Sequence, residues 1–137
     1  MKTGNGQISD PADKTVLIVE DDEAIMDFMC FLVEAEGFVV EKAFDGEQGL
    51  WKAENLAPDI ILLDLMLPKC GGFDILKELQ AGDKIAIPVV IITGAASEFS
   101  KEAALRKEPN VRGFMRKPVS VPALTALLHQ ILNTKKA

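Results

Sequence analysis

The sequence predicts a three-layer α/β domain. Its centre is a doubly wound, five-stranded parallel sheet in the order 2-1-3-4-5, flanked by five helices. Three observations lead there. Val16 to Val19, Ile60 to Leu63 and Val89 to Ile92 are unbroken apolar runs without polar alternation, as expected for strands covered on both faces. Segments of helical periodicity separate them, the pattern of a parallel sheet with right-handed crossovers. Each run ends at an acid or a hydroxyl: Glu20, Asp64 and Thr93.

Taken in order, residues 1–13 are polar, carry Gly4, Gly6 and Pro11, and read as a flexible arm. The first strand, Val16 to Val19, leads into Glu20, Asp21, Asp22 and Glu23. Ile25, Phe28, Met29, Leu32 and Val33 then recur at helical spacing, and Gly37 fits the position just past the last turn. A second strand begins at Phe38. Asp45 with Gln48 three places on resembles a capping box for a helix reaching Leu56.

Pro58 and Pro68 bound the third strand, on which the chain is organised, and Asp64 marks its carboxyl end. Phe73, Leu76 and Leu79 indicate a short third helix. The fourth strand runs to Ile92 and stops at Thr93-Gly94. Ser97 is placed to cap a fourth helix with Phe99, Ala103 and Leu105 inward. A fifth strand covers Val111 to Met115, and Lys117-Pro118 interrupts the chain. Ser120 caps the last helix, whose Leu124, Leu127, Leu128 and Ile131 follow i, i+3, i+4, i+7. The domain is expected over residues 14–134, with 135–137 as a tail.

Composition narrows the function. The 137 residues are 48% hydrophobic, enough for one ordinary core. A net charge of −6 argues against nucleic acid or an anionic membrane as partner. The longest apolar run, Ile85 to Ile92, contains Pro88 and falls far short of the roughly 20 residues that span a bilayer. No apolar signal segment stands at the N-terminus. Cys30 and Cys70 have no metal-site spacing, so reduced thiols in a cytoplasm are expected.

In sheets of this order, ligands bind beyond the carboxyl ends of the strands at the switch point. Strand 1 delivers Glu20 and Asp21 there, strand 3 Asp64, strand 4 Thr93 and strand 5 Lys117. A single acid after a strand is commonly only a cap, and Asp22 is read as one. Three carboxylates together repel one another unless a cation neutralises them. Hard oxygen donors suit Mg²⁺, which keeps several waters and takes one or two carboxylates plus phosphate oxygens. Thr93 and Lys117 complete a phosphoryl site, since a hydroxyl and an ammonium can each hold one phosphoryl oxygen.

Val16-Leu-Ile-Val-Glu-Asp-Asp22, Pro58-Asp-Ile-Ile-Leu-Leu-Asp-Leu-Met-Leu-Pro68, Ile92-Thr-Gly94 and Phe114-Met-Arg-Lys-Pro118 together resemble the signature blocks of the response-regulator receiver domain, a flavodoxin-like fold. The resemblance covers about residues 14–134. It implies that Asp64 accepts a phosphoryl group from a histidine kinase or a histidine phosphotransfer protein. It implies Asp21 and Asp64 as direct Mg²⁺ ligands, Glu20 as a ligand through water, and the Met66 carbonyl as a further metal contact. Thr93 and Lys117 match the residues that bind the phosphoryl oxygens, and Thr93 and Phe114 match the switch pair. Two places depart from the pattern. The loop Lys69-Cys-Gly-Gly72 lacks the acid that often precedes the last glycine, and the stretch from Thr93 to Lys117 is slightly long, so an atypical fourth helix is expected.

The function expected is therefore a phosphorylatable signalling switch acting through an unknown downstream protein. It is expected to stand alone, because only one helix fits after Lys117; a monomer or weak dimer is expected. A receiver cut from a hybrid histidine kinase or multidomain regulator is the alternative. An aspartate-nucleophile phosphatase is disfavoured because Met66 stands where such enzymes place a second acid. A flavin carrier is disfavoured because acids, not a phosphate loop, follow strand 1.

Overall fold

Every residue of the strand Ile60–Asp64 is buried, on both faces. The computed structural model, which describes residues 8–67, 71–82, 86–94 and 99–136, explains this by position. The strand is the third, β3, and lies in the middle of a five-stranded parallel sheet of order β2-β1-β3-β4-β5. The other strands are β1 (Thr15–Val19), β2 (Val39–Ala43), β4 (Val89–Thr93) and β5 (Val111–Arg116). The helices are α1 (Glu23–Ala35), α2 (Gly46–Leu56), α3 (Gly72–Ala81), α4 (Glu102–Leu105) and α5 (Val121–Leu132). The predicted order and layering are those observed.

The unbroken apolar runs divide between two cores by strand alternation. Val16, Ile18, Ile60, Leu62, Val90 and Ile92 face α1 and α5, meeting Met26, Met29, Val33, Leu124 and Leu128. Leu17, Val19, Ile61, Leu63 and Ile91 face the other way, onto Ala53, Ile75, Leu76, Leu79, Leu105 and Phe114. At the β4–β5 ladder the register slips by one. Val89 pairs with Val111 but Val90 with Gly113, leaving Arg112 as an extra residue.

Helix ends follow the expected chemistry. Asp22 caps α1, accepting from the Ile25 amide at 3.0 Å, and Gly37 closes it at φ 103°. Asp45 caps α2 through the Gln48 amide at 2.8 Å. The Gln48 side chain returns to the Phe44 amide at 3.0 Å, one residue earlier than in the standard box. Ser120 caps α5 through the Ala123 amide.

One inward assignment needs correction: Ala103 is exposed. Of the residues at helical spacing, Phe28 is 47% and Phe73 50% exposed. On α1 the sheet takes the stripe Met26, Met29, Cys30, Val33, and on α3 the stripe Ile75, Leu76, Leu79. Phe28 and Phe73 lie beside these stripes rather than on them. In the described residues α4 is a helix of one turn, and Leu105 alone of that turn is buried. The Ser97 cap, the loop residues Pro68 to Cys70 and the first seven residues lie outside the described residues. From Ser9 onward the N-terminal stretch is built into the domain. The Ser9 amide donates to the Asn133 carbonyl at 2.8 Å, and Pro11, buried, opens a 3-10 turn.

Candidate functional site

Strand register assembles the site. Val19 lies opposite Leu63 in the β1–β3 ladder, so the residues that follow, Glu20 and Asp64, emerge side by side. The Glu20 amide also extends the ladder to β2, donating to the Ala43 carbonyl at 3.0 Å. On the other flank, Thr93 ends β4 and its carbonyl accepts from the Lys117 amide at 2.9 Å. That bond carries the β4–β5 ladder one residue past β5 and holds Lys117 over the ends of the central strands.

One carboxylate oxygen from each of Glu20, Asp21 and Asp64 lies within 4.8 Å of the others. Glu20 and Asp64 are 2% and 6% exposed, whereas Asp21 faces solvent. The Lys117 ammonium donates to Glu20 Oε1 at 2.6 Å and to Asp64 Oδ2 at 3.2 Å. The remaining oxygens are held by main-chain amides: Asp22 N–H on Glu20 Oε2 at 3.1 Å, and Met66 N–H on Asp64 Oδ1 at 3.1 Å. These contacts fix the orientation of both carboxylates.

Burial pushes the Glu20 carboxyl above the usual glutamate range, although the Lys117 and Asp22 hydrogen bonds oppose the shift. For Lys117, burial alone would lower the ammonium pKa, but Glu20 and Asp64 together outweigh it and raise it. The lysine is thus held charged by two acids. Among the described residues, three carboxylates meet beside one ammonium and offer hard oxygen donors. This donor set fits Mg²⁺.

Thr93 is fully buried at the end of β4. Met66 follows Asp64 in the loop, with its side chain 55% exposed. Phe114 is brought elsewhere: it lies opposite Ile91, 8% exposed, in the core with Leu105 and Val111. A groove of about 370 Å³ opens beside Lys117, lined by Ile25, Phe28, Met29, Gly94, Lys117, Pro118 and Val119.

Two glycines shape the site without having been assigned a role. A Cβ on Gly72 would stand 2.8 Å from Leu65 Cα and 2.9 Å from the Asp64 carbonyl oxygen. Only a glycine lets the start of α3 close on the strand that ends in Asp64. A Cβ on Gly94 would press on Lys117 Cδ at 3.3 Å, so this residue leaves the lysine its path. The sequence signal for both was a glycine beside the motif residues.

The family model described as "Response regulator receiver domain" matches residues 16–129. Among curated proteins, the chain is 37% identical over 120 residues to the alkaline phosphatase synthesis transcriptional regulatory protein PhoP of Bacillus subtilis, with 88% of this chain and 49% of that protein aligned. It is 38% identical to the sensory transduction protein RegX3 of Mycolicibacterium smegmatis, over 86% of this chain and 50% of that protein. It is 34% identical to the DNA-binding dual master transcriptional regulator RpaA of Synechocystis, over 85% of this chain and 48% of that protein. Among solved structures, a CheY-like response regulator receiver domain protein from Methanospirillum hungatei superposes with a TM-score of 0.78 at 29% identity, covering 87% of this chain and 93% of that one. The chain spans about half the length of the curated relatives. Their names describe transcriptional regulators, one of them DNA-binding, so the expectation of no nucleic-acid partner, drawn from net charge, does not extend to proteins of that length. Among the described residues no helix is long and apolar enough to cross a membrane.

Proposed function

Because the chain belongs to the response regulator receiver domain family, whose members are signalling domains rather than classical enzymes, we propose that Asp64 is its phosphoacceptor. The donor is a phosphohistidine on a histidine kinase or phosphotransfer protein. A carboxylate oxygen of Asp64 attacks phosphorus, the P–N bond breaks, and its electron pair returns to the imidazole, which leaves as the neutral ring because its other nitrogen carries the proton. The observation that carries this reading is the convergence of Glu20, Asp21 and Asp64 within 4.8 Å beside the Lys117 ammonium.

Each side chain has a task that its position supports. Asp21 and Asp64 would hold Mg²⁺ directly, Glu20 through water, and Met66 through its carbonyl. The bound ion would neutralise charge on the phosphoryl oxygens. Lys117, tethered between two acids, presents its ammonium to a second phosphoryl oxygen, and the Thr93 hydroxyl donates to the third. Asp22 and Met66 amides keep the two buried carboxylates from rotating away. Met66 offers no proton to a leaving group, which speaks against phosphatase turnover.

The test is acetyl phosphate with the intact chain. One base-labile, hydroxylamine-sensitive phosphoryl group should appear by mass spectrometry with Mg²⁺ and none with chelator. Asp64→Ala should abolish it. Undiminished labelling of that variant would overturn the assignment.

A second reading concerns what surrounds the domain. Relatives twice as long, named as transcriptional regulators, favour a receiver that works as one module of such a regulator over the stand-alone switch expected from the sequence. In either case the domain works in the cytoplasm, where its phosphodonor and its reduced Cys30 belong. The length of the natural reading frame decides between them.

A further inference from the structure

On the side of the sheet away from Asp64, several contacts converge on His129, the one histidine of the chain. Its Nε2 lies 2.8 Å from Glu36 Oε1, at the end of α1. Its Nδ1 lies 2.7 Å from Thr134 Oγ1, two residues past α5. Its ring meets Phe38, which begins the connection into β2, with centroids 5.1 Å apart. Glu36 also meets Lys136 at 3.5 Å. Thr134 donates its amide to the His129 carbonyl at 3.0 Å and forms a parallel bridge with Ser9. Pro11 completes the arrangement by packing on Gly37, where a Cβ would come within 3.1 Å of the proline.

We infer that Glu36, His129 and Thr134 form a polar latch that fastens the segment after α5, and with it residues 9–11, to the end of α1. A carboxylate only accepts hydrogen bonds, so Glu36 requires the proton on Nε2. With a neutral ring, Nδ1 is then the acceptor, and the Thr134 hydroxyl donates to it. The direction of both bonds is thereby set, and the ring is locked in one tautomer. The two ends of the folded chain move as one body with α1, and whatever is joined beyond Lys136 takes its direction from α1 as well as from α5.

Nitrogen-15 NMR of the single imidazole, with amide hydrogen exchange on the same samples of the full chain, tests this. In mildly alkaline buffer the parent protein should show the Nε2–H tautomer alone. Glu36→Ala should give a tautomer mixture and speed exchange at the Ser9 and Thr134 amides by about 10-fold or more, with Leu17 and Ile61 unchanged. Thr134→Val, nearly isosteric, should speed the same two amides while leaving the sheet protected. Lys136→Ala should change neither readout. An unchanged tautomer in Glu36→Ala, or acceleration of all amides by one common factor, would overturn the latch.

Discussion

The Lys117 ammonium stands closer to Glu20, at 2.6 Å, than to Asp64, at 3.2 Å. In the structure the lysine therefore neutralises the most buried acid of the cluster first. Removing it leaves the buried Glu20 carboxylate without its cation. Loss of one partner of a fully buried pair costs about 3–5 kcal/mol. The lysine side chain is 17% exposed, so Lys117→Ala is expected to cost less, about 2 kcal/mol in urea unfolding. Adding Glu20→Gln should recover most of that loss, and equal stability of the single and double variants would contradict the pairing.

Gly72 and Gly71 make a matched comparison. A methyl group at 72 meets backbone at 2.8 Å and 2.9 Å, whereas one at 71 meets, among the described residues, only Asp74 Oδ2 at 3.8 Å. Gly72→Ala should lose about 1–3 kcal/mol and slow acetyl phosphate labelling, because Asp64 must shift. Gly71→Ala should match the parent in both assays. Chemical denaturation and labelling rates on the two variants decide it.

Acid sensitivity should have a source away from the acid cluster. Glu108 accepts from Gln80 at 2.8 Å and Lys77 at 3.0 Å, and these hydrogen bonds hold its carboxyl below the usual range. A depressed folded value means the stabilisation is fully present above the unfolded pKa. It is lost as pH falls through the lower folded value. Glu108→Gln should cost under about 1 kcal/mol near neutrality, as for partly exposed pairs. Its melting temperature should also fall less steeply than the parent's below the ordinary glutamate range. Parallel slopes would rule Glu108 out.

Phe114 is packed inward in this structure. If Thr93 and Phe114 act as a switch pair, phosphorylation shifts a population of ring positions already present. Fluorine or methyl-detected NMR of the protein with and without beryllofluoride should then show two Phe114 environments whose ratio changes. Thr93→Ala should still be labelled by acetyl phosphate while that ratio stays fixed. A single ring environment in both forms would remove Phe114 from the mechanism.

Much of this architecture was legible because its signals are local. Apolar runs without alternation marked buried strands, and Asp22, Asp45 and Ser120 marked helix starts through their own side chains. The site was legible for a different reason: parallel strands of one order must end on one edge, so residues that follow them meet. What the sequence hid depends on which of several apolar stripes a helix buries. The α1 segment offers Phe28 and Phe31 as readily as Met26 and Met29, and only packing against the sheet selects between them. The preference of Lys117 for Glu20 was equally hidden, since it joins residues 97 positions apart. So was the mutual tie between Asp59 and Thr15, in which the Thr15 amide donates to Asp59 Oδ2 at 2.7 Å and the Asp59 amide returns to the Thr15 carbonyl.

The extra residue at Arg112 has a consequence beyond the ladder it disturbs. β5 is an outermost strand, and a regular outer strand is a template on which another chain can add hydrogen bonds. A bulge there breaks the repeat of donors and acceptors and bends the strand, and it places an exposed arginine at the break. A sixth strand would find neither a continuous pairing pattern nor a neutral surface. On this side, the bulge and Arg112 work against addition of a sixth strand at the start of β5.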